Sequence, residues 1–385
     1  MSYLFPTYSR WEVEPEYAKG TLLIGKDGKE YLDFTSGIGV CNLGHRPEKV
    51  QEAINSQLEK FWHVSNLFVQ SEQERAAKLL AEAANLDVVF FANSGAEANE
   101  AAIKLVRKAT GRKKIITFVN SFHGRTFATM SATGQEKIKT GYGPMLETFT
   151  YLPYNDIAAL KNEVDFETAA IMLEVVQGEG GIHIGGQEFL MEIQQLCKQN
   201  GALLIIDEIQ TGIGRTGKPF AFQHFGLSPD MITAAKGLGN GLPIGAVIGK
   251  AALRDVFSSG SHGSTFGGNP LAIAAAIATM ETIFQEGFLN NVKEKSDYLY
   301  KLLFAKLHSH PAIKAIRQLG MMIGIETDVE LSTILKELRS AGLLVLPAGT
   351  NVIRLLPPLT VTEVEMDKAI AIFETVLKAQ STTAV

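Results

Sequence analysis

Two short apolar runs in this chain each end in a residue able to do chemistry. Leu203–Ile206 leads into Asp207, and Met231–Ala235 leads into Lys236. Neither run is long enough for a helix, so both read as strands buried on two faces of a parallel sheet. Ligands of open α/β sheets sit at such strand ends. Glycines at 237, 239 and 241 let the backbone turn with no side chain obstructing whatever Lys236 holds. An amine and a carboxylate in one crevice suit pyridoxal 5'-phosphate, whose aldehyde condenses with a lysine and whose ring nitrogen needs an acid partner to stay protonated. Singly, Asp207 can equally cap a turn and Lys236 be a solvated loop lysine. Together with the glycines they favour the cofactor.

Further candidates come from other strand ends. Asn93-Ser94-Gly95-Ala96-Glu97 follows an apolar run and opens a helical stretch, so the N–H groups at Ser94, Gly95 and Ala96 can hold a phosphate. The same residues have the S-x-x-E spacing of a capping box, which binds nothing. Phe122 can stack on a pyridine ring, and Arg125 can clamp a carboxylate with its two-pronged donors. Gln210, three residues past Asp207, can donate to a ring phenolic oxygen, whereas Glu208 should point to the other side of the sheet. Glu179 lies in the glycine-rich VVQGEGG, Arg354 in the strand-like VIRLLPP, and Ser264-Thr265 in a polar glycine-rich loop.

The stretches DEIQTGIGRTG, AAKGLGNGLPIGA and GSTFGGNP resemble the class III, fold type I pyridoxal-phosphate aminotransferases, most closely those acting on acetylornithine in arginine biosynthesis; the resemblance runs from about Thr7 to Thr360. It implies a large, doubly wound, mostly parallel sheet domain with a smaller α+β domain built from the N- and C-terminal segments. It makes Lys236 both cofactor anchor and general base, and Asp207 the partner of the ring nitrogen. Ser94, Gly95 and Ala96 become the phosphate cup, with Phe122 and Gln210 on the ring. Arg125 and Ser264 face the substrate, Thr265 reaches the phosphate of a neighbouring subunit, and Glu179 and Arg354 alternate as a gate. The implied protein is a homodimer with shared active sites. It moves the terminal amino group of N-acetylornithine to 2-oxoglutarate, giving N-acetylglutamate semialdehyde and glutamate. Ornithine, succinylated ornithine or diaminopimelate, and 4-aminobutyrate are alternative donors. Relatives specific for free ornithine carry a tyrosine where this chain has Ile38, which weakens that alternative.

A nucleotide-binding reading competes, because Gly212–Lys218 matches G-x-G-x-x-G and the first part of G-x-x-x-x-G-K. Pro219 stands where the second motif needs Ser or Thr, and no periodic apolar helix follows. The eight histidines form no metal-binding pattern. A protein that merely binds cofactor or a partner leaves the joint presence of Lys236, Asp207 and Arg354 unexplained.

The elements that must position these residues follow from periodicity. TLLIG and EYLDFTSG flank a turn at Lys26–Lys29 and read as a hairpin. Helical patterns run from Pro47 to Leu58 and from Glu72 to Ala84, and strands are expected at 88–93, 115–119 and 169–176, with a helix from Glu188 to Asn200. This alternation argues for the doubly wound sheet. A long helical stretch from Leu271 to about Lys306 follows, then short elements, then a frayed end from Ala379 to Val385. The expected division is an N-terminal segment 1–45, a large domain 46–280 and a small domain 281–385. With 385 residues, 46% apolar, and a net charge of −5, the composition gives no reason to bind nucleic acid or an anionic membrane. The basic Arg112-Lys113-Lys114 reads as a solvated helix terminus. Two distant cysteines and an N-terminus without an apolar leader pattern lead to the expectation of a cytoplasmic protein.

Overall fold

The computed structural model describes residues 2–383. Three antiparallel strands open the chain, β1 (Pro15–Lys19), β2 (Leu22–Gly25) and β3 (Glu30–Asp33). The central sheet then takes β4 (Val88–Ala92), β5 (Lys114–Phe118), β6 (Phe149–Leu152) and β7 (Thr168–Leu173). A two-stranded ribbon, β8 (Val176–Gln177) with β9 (His183–Ile184), follows. The sheet resumes with β10 (Leu203–Asp207), β11 (Met231–Ala234) and β12 (Gly245–Gly249), in the order β4-β12-β11-β10-β7-β5-β6. Every pairing is parallel except those of β12, which runs against both neighbours. The sheet is therefore mostly parallel, as expected, with helices supplying the crossovers. Its middle strands are buried along their length, which is why they read as continuous apolar runs.

The C-terminal part contributes β13 (Ile313–Leu319), β14 (Met322–Thr327), β15 (Leu343–Leu344), β16 (Leu346–Ala348) and β17 (Val352–Leu355). Four of these form a sheet ordered β13-β14-β17-β16, while β15 pairs in parallel with β3. The N-terminal hairpin thus shares a sheet with the C-terminal segment rather than only leaning on it.

Three local expectations change. The stretch from Leu271 is two helices, Pro270–Ile283 and Glu286–Leu307, because Gln285 adopts an extended backbone and its side chain donates to the Glu281 carbonyl. The expected frayed end is helical as far as Thr383, in a helix that starts at Glu363; residues 384 and 385 lie outside the described ones. Arg112 is no solvated terminus. Its Nη1 donates to the carbonyls of Thr168, Asn200 and Gly201, and Lys114 pairs with Glu163 and Asp165.

Between β3 and the first long helix (Glu48–Leu58), Ser36, Gly37, Ile38 and Gly39 all have positive φ, a single left-handed turn. Such a turn is unfavourable for L-residues and needs support. Asp33 supplies it: Oδ1 accepts from the backbone N–H of Thr35 and Ser36, and Oδ2 pairs with His45 Nε2 at 2.8 Å. Ser36 Oγ donates to the Leu356 carbonyl. The Asp33 hydrogen bond is the main cause that lifts His45 from 6.5 to about 10. A folded pKa above the unfolded one gives stability that is complete below pH 6.5 and is lost as pH rises towards 10. His45→Asn should therefore lower the unfolding temperature more at pH 6 than at pH 10. Equal losses at both pH values would mean that the ion pair contributes nothing.

Candidate functional site

Asp207 closes β10, and Lys236 follows the neighbouring β11 after Ala235; in register Asp207 lies beside Thr233. Both residues line one cavity of about 440 Å³ together with Ser94, Gly95, Ala96, Phe122, Arg125, Glu179 and Gln210. Nine residues expected from sequence to act together are thus brought together at the carboxyl ends of the strands.

Asp207 is almost fully buried, and its charge is met by three donors. Asn99 Nδ2 and His123 Nδ1 each donate to Oδ2 at 2.8 Å, and the Ile209 N–H donates to Oδ1 at 3.0 Å. Burial pulls the pKa of His123 down, but the hydrogen bond and charge of Asp207, aided by Glu174, leave it raised. The imidazole therefore tends towards the protonated form that best balances the carboxylate. Glu174, also on the cavity wall, is driven up to about 7 by burial, although it accepts from the N–H groups of Phe122 and Gly178. Asn99, His123 and Glu174 were not singled out as site residues from sequence. His123 lies between the two candidates Phe122 and Arg125, but nothing in the chain order shows that it and Asn99 converge on Asp207.

Lys236 adopts φ +41°, a left-handed conformation costly for a residue with a Cβ. A Cβ on Gly237 would lie 2.3 Å from Asn42 Nδ2, so any side chain after the lysine would have to displace Asn42. Burial lowers the pKa of the Lys236 ammonium, and the Arg354 charge adds to this against the opposing pull of Glu179, Asp207 and Glu174. Among the described residues no hydrogen bond or ion pair engages its Nζ, which leaves the amine free to react.

The helix Gly95–Thr110 starts at the cavity. Ser94 Oγ accepts from the Glu97 N–H, and Glu97 Oε2 accepts from Asn93, so the capping arrangement exists in displaced form. It leaves the N–H groups of Gly95 and Ala96 without intrahelical acceptors, so capping and anion binding are compatible here. A Cβ at Gly95 would lie 2.7 Å from Ile209, and the absence of one lets Ile209 pack beneath the cavity.

Arg354 is not on the cavity wall. It lies buried behind it on β17 and reaches the wall through Glu179, with Nη1 2.6 Å from Oε1, and through Gln210, whose Oε1 accepts at 3.0 Å. Burial raises the Glu179 pKa, but Arg354 more than reverses this and holds it low. Ser264 and Thr265 are also off the wall. Ser264 Oγ accepts from Asn93 at 3.0 Å, whereas Thr265 is exposed and does not line this cavity. Ile38 is exposed on the left-handed turn, and Val40 is the residue of that segment that reaches the cavity. Glu208 points away, as expected, accepting from Thr211 Oγ1 and from the N–H groups of Ala221 and Phe222. Among the described residues no group of metal-ligating side chains forms, and no helix is long and apolar enough to cross a membrane.

Residues 7–377 match the family model described as aminotransferase class-III. The acetylornithine aminotransferase of Bacillus subtilis is 60% identical, with 96% of each chain covered, and that of Halalkalibacterium halodurans is 58% identical over 99% of each. Among solved structures, N-acetylornithine aminotransferase from Stenotrophomonas maltophilia superposes with a TM-score of 0.86 at 33% identity, covering 98% of both chains. An ornithine aminotransferase from Toxoplasma gondii, described with PLP at its active site, gives 0.94 at 31% identity, covering 99% of this chain and 93% of that one. Strand order, cavity and sequence thus agree, and the chain belongs to the class III aminotransferases.

Proposed function

We propose that this protein transfers the terminal amino group of N-acetylornithine to 2-oxoglutarate with pyridoxal 5'-phosphate as cofactor. The observation that carries the proposal is the convergence of Lys236, Asp207 and the open helix end at Gly95 and Ala96 on one cavity, with the Glu179–Arg354 pair at its edge. The cavity has what each part of that cofactor needs: N–H donors for a phosphate, Phe122 for an aromatic ring, a buried carboxylate for a ring nitrogen, and an unpaired amine.

When bound, the cofactor supplies an electrophilic carbon and a ring that withdraws electrons from the substrate. Lys236 Nζ would anchor it and, once released by the substrate amine, would take a proton from the amine-bearing carbon of the substrate and return it to the cofactor's carbon, a task suited to an amine whose pKa burial has lowered. Asp207, fixed by Asn99 and His123, keeps a negative charge aimed at the ring nitrogen. Arg125, at the rim, binds the far carboxylate of acetylornithine. Glu179 neutralises Arg354 while a donor without a carboxylate near the reacting carbon is bound. Opening that pair frees the guanidinium for a bidentate grip on 2-oxoglutarate. Gln210, bonded to both members, holds the closed pair in place.

We also propose a homodimer in which Thr265 serves the partner's phosphate. Support comes from its surroundings: Trp62, Leu67, Phe68, Val69 and Phe266 are all exposed, and Asn66 ties their two segments together by donating to the carbonyls of Ser264 and Gly267. A patch of this kind suits burial against a second copy.

Borohydride treatment of the cofactor-loaded protein should leave the reduced adduct on the Lys236 peptide; an adduct on another lysine refutes the anchor. Among acetylornithine, ornithine, succinylornithine and 4-aminobutyrate, acetylornithine should react fastest with 2-oxoglutarate as acceptor. In single turnovers Glu179→Ala should slow mainly the donor half-reaction and Arg354→Ala mainly the 2-oxoglutarate half-reaction, with equal losses in both halves counting against the gate. A heterodimer of Lys236→Ala and Thr265→Ala chains, each inactive as a homodimer, should regain one working site of two; no recovery in verified heterodimers rejects the shared site.

A further inference from the structure

The glycine-rich loop Gly212–Lys218 has no part in the proposed chemistry, and its glycines do not form a phosphate cradle. A Cβ on Gly214, where φ is +79°, would lie 2.4 Å from Ile283, and one on Gly320 would lie 2.3 Å from Thr216. At Gly214 and Thr216 the loop is thus clamped between the helix Pro270–Ile283 and the turn joining β13 to β14, while its outer part, Thr216–Lys218, borders a separate cavity away from Lys236. What it delivers is Arg215, a fully buried side chain.

The guanidinium of Arg215 sits in the interior with no carboxylate as ion-pair partner among the described residues. Nη1 donates to the carbonyls of Met321 (3.1 Å) and Pro357, and Nη2 donates to Asn42 Oδ1 at 2.7 Å. A cation compensated only by amide dipoles is expensive to bury, and an apolar side chain of similar size fills the space at lower cost. An apolar residue cannot hold three chain segments in one plane, as the rigid donor fork does. Two of these segments lead to the cavity. Asn42 returns its Nδ2 to the Ile213 carbonyl at 2.8 Å, and the same Nδ2 closes the space beside Gly237, where an added Cβ would lie 2.3 Å from it, next to the left-handed Lys236. Pro357 lies three residues beyond Arg354, and the Asn42 carbonyl accepts from the nearby Leu359 N–H at 2.8 Å.

We infer that Arg215 is a positioning residue: through Asn42 it holds the turn that carries Lys236, and through the Pro357 carbonyl it fixes the end of the strand that carries Arg354. One buried guanidinium thereby sets the spacing between the amine and the gate. This rests on the roles proposed for Lys236 and Arg354.

Arg215→Lys keeps the charge and loses the planar fork; Asn42→Ala removes the link to Gly237 and keeps Arg215. Each is to be purified with cofactor and compared with the parent in three ways: unfolding midpoint, the pH at which the visible absorbance titrates, and single-turnover rates of both half-reactions. Both variants should move the spectral titration and slow the donor half-reaction by about ten- to a hundredfold, the scale of an ångström misplacement of a reacting group. The double variant should be no worse than the more severe single one, because both break the same chain of contacts. A lowered unfolding midpoint with parental spectral titration and parental half-reaction rates would make Arg215 merely structural. Losses that multiply in the double variant would overturn the linkage through Asn42. If Arg215→Lys does not fold, Asn42→Ala decides alone by the same two readings. A reduced adduct away from Lys236 in the parent protein would overturn the assignment of the lysine itself, and this inference with it.

Discussion

A carboxylate held charged inside the protein is the constraint from which the site follows. Asp207 sits where the middle of a parallel sheet ends, out of bulk water, and an ionised group there is tolerable only if its oxygens are satisfied. The molecule meets that demand from three directions: the helix after β4 sends Asn99, the turn after β5 sends His123, and the chain after β10 folds back the Ile209 N–H. Once these are in place, the strand ends cannot spread and the cavity acquires a fixed negative pole. The amine of Lys236 lies within its electrostatic reach and has no bonded partner of its own among the described residues.

Balance on the opposite wall is less rigid. Glu179, Gln210 and Arg354 form a compact cluster in which one glutamate oxygen and one glutamine oxygen share the same guanidinium nitrogen. The Arg354 Nε remains a buried donor with no partner among the described residues. A guanidinium that is incompletely satisfied can exchange partners at smaller cost than one locked on all sides.

What was readable in the sequence divides along the range of the interactions. Asp207 and Lys236 were legible because each terminates a run whose composition already states that it is a buried strand. Ser94 was legible because capping is local. His123 and Asn99 were not, since a contact 84 or 108 positions away leaves no mark on local pattern. Strand β12 went unread for a related reason. GAVIG is too small and glycine-rich to show a strand period, and its backbone must pass close to Ser94, where a Cβ on Gly245 would lie 2.2 Å from the carbonyl oxygen. The break at Gln285 was hidden because both flanking segments favour helix, and only the extended backbone of one residue separates them. Arg112 was misread because a basic residue after a helix-ending glycine is ordinarily solvated, whereas here its guanidinium gathers carbonyls from two other segments.

The parallel pairing of β3 with β15 has a consequence for the order of events during synthesis. The hairpin leaves the ribosome 311 positions ahead of its partner strand (Leu32 opposite Leu343), and Ser36 waits for a carbonyl 320 positions further on. At about 5–20 residues per second, the edge of β3 stays unpaired for tens of seconds in the nascent chain. Throughout that interval an open strand edge is available to other chains. The left-handed turn next to it cannot be locked against the Leu356 segment until that segment has itself been made. The large sheet can form vectorially; the mouth of the cavity cannot.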